Sequence, residues 1–313
     1  MATAKQEKAR AKVDALHRQL SDGVDTLRNE PEWRRMLDVA SRFHDYSFGN
    51  VMLIMMQRPD ATRVAGYRKW QELDRQVVKG SKAIKILAPA SGPCWDCNGD
   101  GGDANARCVK CGGSGRFRYF RSVSVFDVSD TEGEPLPDIS ELVREVDGDA
   151  YGLIGHLTAL ADAEGFTVDM VDAAADPVLK GGAYGYCQHD KRRLVVRDDV
   201  ADAQKAKTLC HELAHALLHG PDQIDYGAER GRCEVEAESV AYIVLGTYGI
   251  DTDGYSFGYV AHWSENDHGT IKATAETVCR TARDVLDGLA DLDDPARELT
   301  SAGAGQGEPL AAA

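Results

Sequence analysis

The 313-residue chain has no apolar run approaching the roughly 18 residues of a membrane span, and its opening, MATAKQEKARAKVDALHRQL, mixes charges with no apolar leader core. A cytoplasmic protein without membrane contact is therefore expected. Positive charge is scarce beyond residue 125: residues 126–313 hold 14 Lys and Arg against 37 Asp and Glu (−23), whereas residues 1–125 hold 22 against 14 (+8), for a net −15. Only the first part is suited to meet a polyanion. The apolar fraction of 43% and charged fraction of 28% exclude a fibrous or wholly disordered chain, and the length allows two domains with cores of their own.

Glycine and proline are absent from Thr208–His219 in TLCHELAHALLHG, where Gly220 closes the segment. An uninterrupted helix follows, with Leu209, Leu213, Ala214, Leu217 and Leu218 as its apolar face. His211 and His215, four residues apart, share one side and can reach one ion, with Glu212 one residue along as general base. His219 extends the series but reads as a neighbour, because a straight helix rarely offers three ligands to one tetrahedral ion. The acidic run CEVEAESVA, from Cys233 to Ala241, is the expected source of a third ligand. Glu234 and Glu238 share a face with Ala237 and Ala241, whose small side chains permit close approach to the first helix. Glu234 is the expected ligand and Glu238 a carboxylate that orients a ligand histidine, with Glu236 the alternative ligand. A solvated acidic helix face is the competing structural reading.

Four of the eight cysteines form CxxCxGxG twice, at Cys94, Cys97, Gly99 and Gly101 and at Cys108, Cys111, Gly113 and Gly115. Two such turns complete a four-cysteine zinc site, as suits a reducing compartment. Zinc is expected there and at the histidine site, although another divalent ion is open at the latter. The insert resembles the knuckles of the DnaJ cysteine-rich domain; a structural staple is favoured, with nucleic-acid contact through Arg107, Lys110, Arg116 and Arg118 secondary.

Toward the N-terminus, Val13, Leu16, Leu20, Val24 and Leu27 recur at helical spacing, then Trp33, Met36, Leu37, Ala40 and Phe43 after Pro31. YSFGNVMLIMM (46–56) reads as a buried helix. Residues 63–85 then carry seven basic residues against two acidic ones, with Tyr67 and Trp70 among them. Arg63, Tyr67, Arg68, Lys69, Trp70, Arg75, Lys79, Lys82 and Lys85 are the candidates for single-stranded DNA, through phosphate neutralisation and base stacking. A solvated face with one core anchor is the competing reading. Beyond an acidic, Gly- and Pro-rich connection, YGLIGHLTALADAE (151–164) reads as a helix, FTVDMV as a strand, and 183–188 with 193–197 as a hairpin preceding the metal helix. Tyr255, Tyr259 and His262, in an aromatic stretch, read as packing residues without an assigned role.

The segments YSFGN, QRPDATRVAGYRKWQEL, QVVKGSKAIKILAP and VFDVSDTEGEPLP resemble the single-stranded-DNA-binding domain of ArdC-type antirestriction proteins, and HELAHALLHG with EVEAESVAY resembles the following zincin domain, related to ImmA/IrrE metallopeptidases. The resemblance covers roughly Pro31 to Leu286, and the cysteine insert departs from it. It implies ssDNA binding and protection of incoming DNA from host restriction on a mobile element; the alternative is an ImmA/IrrE-like regulatory protease acting on a repressor or restriction-related protein. The expected architecture is α+β: an N-terminal helix (1–30), a mixed ssDNA-binding domain (31–137) with a zinc-ribbon-like insert (94–115), a linker (138–150), a zincin-like domain (151–290) and a disordered tail (291–313).

Overall fold

Among the described residues, helices come first and last in the chain, and short strands lie between them in each half. The computed structural model describes residues 4–94, 96–103, 106–136, 152–250 and 267–293; the expected linker, the stretch containing Tyr255, Tyr259 and His262, and the tail from 294 lie outside them. Two compact units result, Met1–Thr26 with Gly49–Leu136, and Leu27–Phe48 with Pro137–Ala313. Among the described residues no helix is long and apolar enough to cross a membrane.

The first unit contains α1 (Ala4–Thr26) and most of α3 (Phe48–Gln57), which follows α2 (Glu30–Arg42) in the chain. Its central sheet has the order β1-β6-β3, from Val64–Gly66, Arg116–Asp127 and Ile84–Pro93, all antiparallel. Helix α4 (Tyr67–Glu72) follows β1, and β2 (Arg75–Val77) pairs with β7 (Thr131–Gly133). Leu16 of α1, Leu53 of α3 and Leu87 of β3 meet in one apolar cluster. An edge strand exposes unpaired backbone groups, and α3 covers those of β3 with two side-chain amides. Asn50 donates to Leu87 O and accepts from Leu87 N, each at 2.9 Å; Gln57 does the same to Lys85 at 2.8 and 2.9 Å. At the far end of β6 the buried Asp127 carboxylate accepts from Thr62 N, Arg63 N, Ser129 N and Ser129 Oγ. Burial works against its charge, yet these donors hold its pKa below the usual carboxylate range. The cysteine insert, including the small ladder of β4 (Gly102–Asp103) with β5 (Ala106–Arg107), caps the outer end of the β3–β6 pair.

The second unit draws α2 from early in the chain. Asn29 caps it by accepting from Glu32 N at 3.0 Å, Pro31 sits in its first turn, and Trp33, Met36, Leu37, Val39 and Ala40 are buried. The rest is α5 (Leu153–Ala163), β8 (Thr167–Val171), the short α6 (Pro177–Lys180), β9 (Gly185–Gln188), β10 (Arg193–Arg197), α7 (Asp202–Leu218), α8 (Tyr226–Thr247) and α9 (His268–Asp293). β10 lies in the middle of its sheet, parallel to β8 and antiparallel to β9. The expected hairpin before the metal helix is thus β9–β10, with β9 at the edge. Every residue of α8 from Val235 to Leu245 except Glu238 is buried, so this helix is the centre of the unit rather than an amphipathic cover.

The boundary expected at residue 31 does not follow the packing. Trp33 Nε1 donates to Ser239 Oγ of α8 at 3.0 Å, Tyr242 Oη donates to Asp38, Thr247 Oγ1 donates to Ser41 O at 2.9 Å, and Arg283 Nε donates to His44 O at 2.8 Å. These bonds and the buried face of α2 place residues 27–48 in the second core.

Trp70 departs from its expected DNA-stacking role. It is 2% exposed, and its indole N–H donates to Phe126 O at 3.0 Å, leaving no ring face for a base. It is the core anchor under the basic segment. Trp70→Ala should therefore destabilise the protein by about 3–5 kcal/mol, read as a lower urea midpoint, whereas loss of a solvent-facing ring would leave that midpoint nearly unchanged.

Candidate metal centre

The metal-type site is built where α7 crosses α8. Leu209, Leu213 and Ala214 bury one side of α7, and fully buried Ala237 and Ala241 on α8 let the two backbones approach. The helical spacing turns His211 and His215 toward that crossing, where Glu234 rises from α8. His211 Nε2 lies 3.0 Å from His215 Nε2 and 3.5 Å from Glu234 Oε2, and His215 Nε2 lies 3.7 Å from the same oxygen. These three donors lie within 4.8 Å of one another. Two imidazole nitrogens aimed at each other need a proton or a cation between them, so the donor set fits a metal ion.

Each imidazole is backed by a carboxylate. Glu238 Oε2 is 3.0 Å from His211 Nδ1, an ion-pair distance without hydrogen-bond alignment, and Lys207 Nζ sits 3.7 Å from the other Glu238 oxygen. His215 Nδ1 is 2.8 Å from His219 Nδ1, and His219 Nε2 is 3.0 Å from Glu236 Oε2, with both outer groups buried. Glu236, the alternative ligand, is therefore separated from the site by the His219 ring and supports His215 only through it. Sequence reasoning left His219 as a neighbour without a role, although its place at i+8 was the available signal. Tyr226 carried no signal: its hydroxyl donates to Glu234 Oε1 at 2.6 Å, and its ring meets His215 edge-on at 5.7 Å between centroids.

Glu212 stands apart from the three donors. Its carboxylate accepts from the backbone N–H of Cys187 on β9, and it is 7% exposed. The close approach of β9 to α7 depends on Gly185, where an added Cβ would lie 2.5 Å from Thr208 Cγ2 and 2.7 Å from Val195 O. Burial pushes the Glu212 carboxyl up to about 7, against the opposing pull of His211. Burial also opposes protonation of His211, but Glu234 and Glu238 outweigh it and raise its pKa to about 10 without a metal. Hydrogen bonds from His211 and His215 hold Glu234 well below the carboxylate range despite its partial burial. These groups line an open cavity of about 1250 Å³ with Tyr184, Tyr186 and His189 on its strand side.

The second cluster lies at the end of β3 and β6. Cys94 Sγ is 3.8 Å from Cys108 Sγ and Cys97 Sγ is 3.7 Å from Cys111 Sγ, far beyond a disulfide bond. The two knuckles exchange backbone bonds, Cys94 N to Gly115 O at 2.8 Å and Cys108 N to Gly101 O at 2.9 Å. Gly101 and Gly115 have φ of +78° and +67°, and a Cβ on either would strike the carbonyl oxygen of Gly113 or Gly99 at 2.3 or 2.1 Å. All four thiol sulfurs lie within 4.8 Å of one another, as a metal requires.

The other candidates for DNA contact are spread over α4, β2, the turn after β2, and β3. Arg68, Lys79 and Lys82 are exposed, as is Lys69, 3.2 Å from Glu72. Arg63 is half-buried; Tyr67 is exposed and accepts a hydrogen bond from Gln76; Lys85 donates to Ser124 Oγ at 2.6 Å. Arg75 is committed to the fold, bonding Thr131 Oγ1 at 2.8 Å and Thr131 O at 3.0 Å.

Metal uptake at the histidine site must displace the His211 proton. Affinity is therefore expected to rise about tenfold per pH unit across the neutral range, because the metal-free pKa lies near 10. Glu238→Gln should weaken metal binding about 10- to 100-fold. Competition with a chromophoric chelator from pH 6 to 8 measures both effects; a pH-independent affinity would show that His211 enters the site already neutral.

Residues 9–126 match the family described as the N-terminal domain of anti-restriction factor ArdC, and residues 173–248 match the IrrE N-terminal-like domain of the M78 peptidases. The chain is 28% identical over 299 residues to the Bacillus anthracis protein pXO2-81, covering 87% of this chain and 49% of that one, so it spans about half the length of this curated relative. It is also similar to crystal structures of the antirestriction ArdC protein of plasmid R388 at 18% identity. The metal-free form gives a TM-score of 0.48 over 78% of this chain and 85% of that chain; the Mn(II)-bound form gives 0.49 over 78% and 84%. The two family matches follow one another on a single chain, an ArdC-like N-terminal domain followed by an IrrE-like domain.

Proposed function

We propose that the protein binds single-stranded DNA through its first domain, protecting incoming DNA from restriction, and carries a zinc site with the parts of a metallopeptidase in its second. The observation that carries this reading is the order of the two family matches, with the positive balance confined to residues 1–125. Phosphate neutralisation is the main source of affinity in such complexes. The exposed Arg68, Lys69, Lys79, Lys82 and Lys85 supply it, with Tyr67 as an accessible ring.

Zinc is the reading for both centres. Tetrahedral zinc with Zn–S near 2.3 Å sets sulfur–sulfur edges of about 3.8 Å, and the cysteine pairs lie at 3.8 and 3.7 Å. Zinc–nitrogen bonds near 2.0–2.1 Å set edges of about 3.3–3.4 Å, which suits His211, His215 and Glu234. Four soft thiolates favour zinc at the first centre, whereas the harder donors of the second also admit manganese.

A peptidase activity is favoured by one further observation, the placing of Glu212. When bound, the metal supplies Lewis-acid polarisation at the crossing of α7 and α8. Glu212, with a pKa near neutrality, accepts a proton from the attacking water and returns it to the leaving amine. The edge of β9 runs along the cavity, suited to an extended peptide held by main-chain hydrogen bonds. The substrate class on this reading is a repressor or a component of a restriction system.

Glu212→Gln separates the two activities. It should abolish peptide cleavage while leaving ssDNA affinity and protection of transferred DNA within about twofold of the parent. Protection lost together with cleavage, at unchanged DNA affinity, would make proteolysis the basis of protection and reverse the assignment.

A further inference from the structure

The two oxygens of the Glu234 carboxylate have different neighbours. Oε2 faces the imidazoles, 3.5 Å from His211 Nε2 and 3.7 Å from His215 Nε2. Oε1 accepts from the Tyr226 hydroxyl at 2.6 Å, while the largely exposed Arg230 guanidinium stands 3.9 Å from it, beyond hydrogen-bond reach. Side chains lean toward the start of a helix, so Glu234 inclines back along α8 toward Tyr226, the first residue of that helix. The Tyr226 ring is held in its turn, edge-on to His215 with centroids 5.7 Å apart and tilted against His219 at 6.4 Å. It is exposed, and it forms part of the wall of the cavity that His211, His215 and Glu234 also line.

The number of ligands gives this division a consequence. Two imidazole nitrogens and one carboxylate oxygen make three ligands, which leaves a tetrahedral ion one position for water. A carboxylate that turns both oxygens to the ion fills that last position itself, and the site closes as a structural centre does. The two states differ by a rotation of the Glu234 carboxyl, and the Tyr226 O–H opposes it. Turning Oε1 toward the ion would give up a hydrogen bond to a charged acceptor, which is stronger than one between neutral groups. Water screens Arg230, so that it holds Oε1 far less. The hydroxyl is the part that matters, because packing against His215 would be served equally by phenylalanine.

We propose that Tyr226 is a positioning residue that holds Glu234 to one-oxygen ligation and so keeps a coordination position open at the histidine site. It rests on the metal-site reading above and deepens it. Tyr226 acts through Glu234, and its part is to reserve the place of the water from which Glu212 takes a proton.

The test uses the full-length chain with zinc kept in the cysteine module and the histidine site emptied by a chelator, then refilled with zinc or cobalt(II). In the unmodified protein, the infrared difference between the zinc-refilled and emptied states should show the wide separation of carboxylate stretches that marks one-oxygen ligation. Azide added to the cobalt form should shift its visible bands, as binding at an open position does. In Tyr226→Phe, which keeps the ring and its packing, the infrared separation should narrow toward that of two-oxygen ligation. Azide should bind this variant at least about tenfold more weakly, the usual scale for loss of a partner that orients a metal ligand. A narrow separation in the unmodified protein, or cobalt bands that ignore azide, overturns the proposal without relying on any variant's folding and leaves the metal site in place. A Tyr226→Phe protein with the parent's infrared bands and azide affinity overturns it as well. A chain whose histidine site takes up neither ion overturns the metal-site reading together with it.

Discussion

The close crossing of α7 and α8 is the contact on which the second unit depends. Ala237 and Ala241 remove side-chain bulk from the seam, so carboxylates on one helix reach imidazoles on the other at 3.0–3.7 Å. Such a cluster is unfavourable without compensation, since burial penalises every charge in it. Alternating signs supply that compensation: Glu238 beside His211, Glu234 against both imidazoles, and Glu236 beside His219 with Arg232 3.7 Å from its other oxygen. Glu212, shielded under β9, has the weaker support of His211 and the Cys187 N–H, and burial raises its carboxyl toward neutrality. The same arrangement makes Glu212 basic and Glu234 strongly acidic.

The cysteine module solves a different problem. A strand pair as narrow as the β3–β6 arm has too little apolar surface to hold itself together in water. Four sulfurs at tetrahedral spacing, with glycines that allow the knuckles to interlock, close its end without a core. This permits the outer strands to keep rings and arginines outside, where an ordinary sheet would bury them.

The histidine site was legible because helical spacing alone dictates which residues share a face: His211 with His215, and Glu234 with Glu238. The choice between Glu234 and Glu236 followed from the same rule. Tyr226 was not legible, because its contact with Glu234 depends on how the chain turns between two helices. Trp70 shows the limit of composition, since a basic neighbourhood suggested stacking while the ring serves the core and donates to Phe126 O. The run RYFRSVSVFDV within β6 carries no local sign that its first half projects past β1 in the sheet. The apolar stripe of α2 announced burial without naming its partner, because nothing in a local pattern encodes a contact made two hundred residues later.

That last contact has a cost in time. Trp33 and Ser239 are 206 residues apart in the chain. At a synthesis rate of about 5–20 residues per second, α2 leaves the ribosome roughly 10–40 s before α8 can receive it. During that interval the face bearing Trp33, Met36 and Leu37 lacks its partner helix, while the first unit's segments are complete once Leu136 has been made. The second unit cannot close until its earliest strip of chain is gathered in, so its assembly is post-translational in order, and no single scission of the polypeptide would release it whole.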